Sequence, residues 1–158
     1  MSKTLSFSQA LEYLNAGFNY KATGKSGMVT LKNASQEDCL ILQAEDGGER
    51  VSLFAPFLER PAEKKIQKAL NLHFLHLNAD LDALGSLRIT FNRDSNRYSL
   101  CDGVLEAENQ EDFVTYVQEV LQAANYLHRE IADTLSQRGA DDELESDIKF
   151  DSTHYLKA

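Results

Sequence analysis

Three groups of residues in this 158-residue chain have types that could do chemistry. Gly24-Lys25-Ser26 matches the end of a phosphate-binding loop, in which backbone N–H groups and a lysine cradle phosphates. That loop needs a glycine at position 19, where asparagine stands, and a helix after the serine, where the pattern is that of a strand. Without the first glycine the backbone cannot wrap the phosphates, and without the helix no N-terminal dipole stands behind them. His73 and His76, spaced i, i+3, could present two imidazoles to a metal. No carboxylate or cysteine lies in the same turn to complete a tetrahedral set, so half-buried histidines at a helix contact are the expectation, and no metal or cofactor is expected. Cys101 with His128 could form a nucleophile and base, yet Cys39 and Cys101 lie in strand-like runs with no glycine-rich elbow and read as small core residues. No catalytic residue stands out, and the chain is expected not to be an enzyme.

The remaining signals concern charge and apolar surface. The formal net charge is −9 and the pI about 4.9, so a nucleic-acid partner, which needs a basic surface, is disfavoured. Lys64, Lys65 and Lys68 form the one cationic cluster and read as a solvated helix face beside Glu63. Two distant cysteines make no disulfide framework, which favours a reducing, cytoplasmic setting. No apolar run approaches the roughly 20 residues that span a bilayer, so membrane insertion is not expected. At 42% hydrophobic and 26% charged residues, the composition is that of one globular domain, which at this length buries roughly 70% of its unfolded surface.

The elements that must position these residues follow from the periodicity. Leu11 and Leu14 share a face of a first helix that Gly17 ends. Met28–Leu31, Cys39–Ala44 and Arg50–Phe54 are short apolar runs between Gly and Asx clusters, which predicts a three-stranded meander with a turn at Gly47-Gly48. Phe54–Leu58 is expected to be an apolar loop, with Pro61 as the first residue of a second helix running to about Leu77. Leu70, Leu72, Phe74, Leu75 and Leu77 surround that helix almost completely, so it must be covered on both sides. With one sheet to cover one side, a second copy of the chain is the natural cover for the other, through Ile66, Leu70, Phe74 and Leu77. Leu87–Asn92 and Arg97–Cys101 predict two more strands, and a long helix runs from about Gln110 to Leu135.

The expected fold is α+β, an antiparallel sheet of about five strands with three helices in the order α-βββ-α-ββ-α, spanning residues 1–138. Residues 139–158 form an acidic tail, with six acids against two lysines, expected to be dispensable for folding. In the second strand Leu40, Leu42 and Ala44 face one way while Cys39 and Ile41 face the other, so burying one face leaves the second partly apolar. Apolar positions that three helices cannot all cover mark a protein-binding surface, and Leu11, Leu14, Phe18, Ile41, Leu53 and Phe57 are its candidates. The sheet edges could also accept a partner's strand.

The block Ala69-Leu70-Asn71-Leu72-His73-Phe74-Leu75-His76-Leu77-Asn78, followed by Gly85–Phe91 and Asp112–Ile131, resembles the class I chaperones of bacterial type III secretion, the family that includes the chaperone of the intimin receptor. The resemblance covers residues 5 to 135; the longer acidic C-terminus and the sparsely apolar first helix depart from it. It implies a bacterial, cytoplasmic homodimer linked to virulence that binds the N-terminal segment of secreted effectors in extended form, without ATP. The secretion ATPase is a further candidate partner. A non-enzymatic regulatory adaptor for a folded signalling or transcription protein is the alternative.

Overall fold

The computed structural model describes residues 1–22 and 24–140. Lys3–Thr4 forms β1, which leads into α1, Phe7–Gly17. Ser6 caps this helix by accepting from the Gln9 N–H, while the Gln9 side chain returns to the Ser6 N–H, so two donors that the first turn leaves free are both matched. The strands β2 (Met28–Lys32), β3 (Asp38–Glu45) and β4 (Arg50–Glu59) form the expected meander. The turn between β3 and β4 is a 3-10 turn, Asp46–Gly48, in which Gly47 and Gly48 both take positive φ.

β4 corrects the expectation most. Phe54–Leu58 is strand, not loop: Phe54 pairs with Cys101, Pro56 with Ser99 and Leu58 with Tyr98. The register shifts between Pro56 and Leu58, which places the proline at a bulge, where its missing N–H costs the ladder nothing. The helix after it, α2, spans Lys64–Ala79 with Glu63 before it, so Pro61 stands outside the helix instead of opening it. A four-residue helix, α3 (Leu81–Leu84), precedes β5 (Arg88–Asn92) and β6 (Arg97–Asp102). β7 (Glu106–Ala107) pairs with β1 and ties the start of the chain to the entrance of α4, Gln110–Ala140. Gly139 and Ala140 therefore continue the helix beyond its expected end at Leu135, and the acidic tail from Asp141 on lies outside the described residues.

The main sheet is antiparallel in the order β2-β3-β4-β6-β5. All four helices lie toward one of its faces, where Leu40, Leu42, Leu53, Ala55 and Leu100 meet Leu14, Leu70, Val117, Val120 and Leu127 in a single core. α1 and α4 cross closely at Gly17: a Cβ there would overlap Val114 Cγ2.

Candidate protein-binding surfaces

Alternation along the strands puts the second set of side chains on the helix-free face. The paired row Thr30, Ile41, Phe54, Cys101 and Arg88 crosses all five strands there. Ile41, Phe54 and Pro56 are half-buried, and Met28 at the β2 end is 50% exposed. With Phe91, Asn92 and Arg93 they line an open depression of about 340 Å³ whose single charged residue is Arg93. A sheet face carrying an isoleucine, a phenylalanine, a proline and a methionine without a helix on it is an apolar patch of the kind that binds protein.

The second surface is α2. Leu70, Phe74 and Leu77, assigned above to a seam between copies, are 0%, 4% and 1% exposed: they are the stripe that packs on the protomer's own sheet, beside half-buried Ile66. Phe74 stacks edge-on against Tyr98 and Phe57, and Tyr98 Oη donates to Asn71 Oδ1 at 2.8 Å. The leucines left outside are Leu72 (56%), Leu75 (66%) and, on α3, Leu81 (65%). Leu75 also rims a cleft of about 290 Å³ between α2 and β5, with Phe74, Ile89, Phe91 and Tyr98. Asn78 closes its far end, donating to the Ile89 carbonyl at 3.0 Å and accepting from the Ile89 N–H at 2.7 Å.

Of the six positions expected to contact a partner, Leu14, Leu53 and Phe57 are core, at 0%, 0% and 4% exposed. Leu14 packs from α1 onto the sheet, Leu53 lies on the helix-covered face of β4, and Phe57 joins that face because β4 runs on to Glu59. Leu11 and Phe18 are half-buried against the core at α1, and Ile41 lies on the open sheet face. The half-buried Phe54 and Pro56 and the exposed Met28, Leu72 and Leu75 are further apolar positions on these two surfaces. The signal for Phe54 was its two-residue spacing from Ser52 and Pro56, and for Leu72 and Leu75 their offset from the 70/74/77 stripe.

Among the described residues the candidate chemical groups are not brought together. Cys101 sits on the open face, whereas His128 Nδ1 lies 2.7 Å from the Phe57 carbonyl on the helix side, so the sheet separates them. Burial, with Asp102 and Glu45 adding, pushes the Cys101 thiol up to about 11, the opposite of what a thiolate nucleophile requires. Burial also raises the Cys39 thiol, whose Sγ lies 3.4 Å from the Leu31 carbonyl. His73 is buried and His76 exposed, and among the described residues no three His, Cys, Asp or Glu side chains converge to hold a metal ion. The Gly24-Lys25-Ser26 segment is followed by β2. The buried Asp102 carboxylate accepts from Tyr116 Oη, Ser86 Oγ and the Val104 N–H, joining α4 to the sheet; burial first, then this hydrogen bond, raises the Tyr116 phenol. No helix is long and apolar enough to cross a membrane among the described residues.

A twisted five-stranded sheet with its helices on one side, a helix between strands three and four of that sheet and a long closing helix define a class: the fold is that of the class I type III secretion chaperones that the sequence resembles. Two solved structures that share it are a chain of the ExsC–ExsE complex and a chain of the heterodimeric ExoU–SpcU complex from the type III secretion system of Pseudomonas aeruginosa. The first is 16% identical with a TM-score of 0.54, over 79% of this chain and 95% of that one. The second is 13% identical with a TM-score of 0.52, over 76% of this chain and 94% of that one. At these identities the likeness is one of fold. No protein-family model and no curated protein matches the chain.

Proposed function

We propose that this protein is a secretion chaperone that binds the N-terminal segment of one or more type III secreted effectors in extended form, without ATP, in the bacterial cytoplasm. The observation that carries the reading is the helix-free, apolar sheet face, in a fold that two solved structures present as part of a two-protein complex. A disordered segment can wrap such a surface, laying alternate apolar side chains against Ile41, Phe54 and Met28, with Leu11 and Phe18 as further contacts on α1. The working unit is a homodimer through Leu72, Leu75 and Leu81, which moves the seam from the buried stripe of α2 to its outer face. The dimer then delivers the segment to the secretion apparatus, where the secretion ATPase is a further partner.

The test is titration calorimetry of the purified protein with N-terminal segments of secreted proteins from neighbouring open reading frames, in nucleotide-free buffer. Binding that weakens at least tenfold in Ile41→Asp or Phe54→Asp, with the circular dichroism spectrum unchanged, is expected. A segment that binds only with ATP, or equally well to both variants, would overturn the reading.

A further inference from the structure

The open face has a charged mouth. Arg93 lies at its rim in the β5–β6 turn, and Arg97 lies on the same face of β6 as Ser99 and Cys101, with its Nε buried and without a hydrogen-bond partner among the described residues. Arg60, whose N–H bonds to the Asn96 carbonyl, places its guanidinium 4.8 Å from the Phe91 ring centre at the same end, where α2 begins with Lys64, Lys65 and Lys68. Among the described residues none of these six cations is in an ion pair, although Glu59 is the cross-strand partner of Arg97, and Glu63 and Asp94 stand nearby in sequence. In a chain of net charge −9 this is a local concentration of positive charge beside an apolar depression.

The long closing helix is aimed at that end. β4 runs from Val51, bonded to Leu105 just before α4, to Phe57, whose carbonyl contacts His128 in the second half of α4. α4 thus follows β4 toward its exit at Glu59 and continues to Ala140. The sequence beyond it is Asp141-Asp142-Glu143-Leu144-Glu145-Ser146-Asp147-Ile148-Lys149-Phe150-Asp151, acidic with Leu144, Ile148 and Phe150 interspersed. Ten extended residues reach about 33 Å, enough to turn around the end of the strands.

We propose that this C-terminal segment occupies the open sheet face of its own protomer, its acids against Arg60, Arg93, Arg97 and the α2 lysines and its apolar residues over Phe54 and Ile41. The match is one of charge sign, of reach and of alternating apolar content. Weak surface pairs hold such a segment only loosely, so an incoming partner segment can displace it. The displacement rests on the function proposed above, whereas the docking does not.

Carbodiimide coupling of the full-length chain, read by peptide mass spectrometry, tests the docking directly. Amide cross-links from the acids of 141–151 should fall on Lys64, Lys65 and Lys68 and not on Lys3, Lys21 or Lys25, which lie away from the β4 exit. In a mixture of isotope-labelled and unlabelled chains they should join peptides of one label. Arg60→Glu with Arg93→Glu should lower their yield about fivefold, the effect of losing two surface charge pairs, and replacing Asp142 and Asp147 by lysine should restore coupling through the remaining acids. Cross-links scattered over all lysines, joining different labels, or unchanged in the reversed variant would overturn the proposal. Docking that is seen while no effector segment binds refutes only the chaperone reading. Binding of an effector segment by a chain whose tail never couples to α2 refutes only the docking.

Discussion

Replacing Leu75 by Asp separates the two faces of α2. Leu72 and Leu75 are 56% and 66% exposed in the protomer, so more than half of each side chain is available to a second copy. Full burial of a leucine contributes about 1.5–3 kcal/mol, which gives each of them ~1–2 kcal/mol in a seam. A two-fold contact uses every residue twice, so losing Leu75 from both copies removes ~2–4 kcal/mol, and a carboxylate desolvated in its place adds to that loss. The dimer Kd should therefore rise by at least about 25-fold, since each 1.4 kcal/mol is a factor of ten. The protomer itself should be untouched, because Leu75 is outside the core cluster. Leu70→Asp is the contrasting variant: at 0% exposure its carboxylate would be buried in the protomer, which should fail to fold. Sedimentation equilibrium across a dilution series, with near-ultraviolet circular dichroism as the fold control, reads both. A Leu75→Asp protein with an unchanged dimer Kd, or a parent chain that is monomeric at every concentration, would refute the seam.

Neighbouring residues of β3 face opposite ways, so Leu40→Ala should cost about 2–5 kcal/mol in urea unfolding while Ile41→Ala costs under about 1.5; equal losses would mean that Ile41 belongs to the same core as Leu40. Gly17→Ala should destabilise by about 1–3 kcal/mol because the new methyl meets Val114 Cγ2, and Val114→Ala should restore most of that loss; a neutral Gly17→Ala would refute the close crossing of α1 and α4. The Cys101 thiol stays protonated in the fold up to about pH 11, whereas in the unfolded chain it ionises from about pH 8.5. Stability should accordingly fall as pH rises through that window, and Cys101→Ser should flatten the fall; an unchanged slope in urea midpoints would show that the thiol is not the source.

The strand and helix order was legible because each element carries its own periodicity. The alternation of Leu40, Ile41 and Leu42 predicted two unlike faces, and β3 has them. What failed was local chemistry that tertiary pairing overrides. Pro56 signals a break, yet with Phe54 and Leu58 paired to β6 on either side it needs only a bulge. The all-round leucines of α2 predicted cover on both sides but could not say which residues face the sheet. That depends on Tyr98 and Phe57, which arrive from β6 and from the stretch of β4 read as loop. The two-residue pair β1 and β7 has no periodicity at all, and its partners are a hundred residues apart, so no window along the sequence contains it.

The Asn78 amide lies along the rim of the sheet, on its edge strand β5. It fills both backbone positions of Ile89 as a strand would. On the opposite rim, Ser26 Oγ donates to the Met28 carbonyl at 3.2 Å and Tyr20 Oη to the Thr30 carbonyl at 3.4 Å. Both ends of the five-stranded stack thus carry stoppers made of side chains, so neither rim offers an unbroken row of groups to a sixth strand. Fibre growth by strand addition needs such a row on every newly added layer. Concentrated solutions of this protein should stay free of cross-β polymer even though no helix among the described residues covers one face of its sheet, and Asn78→Ala is the change that would unseal it.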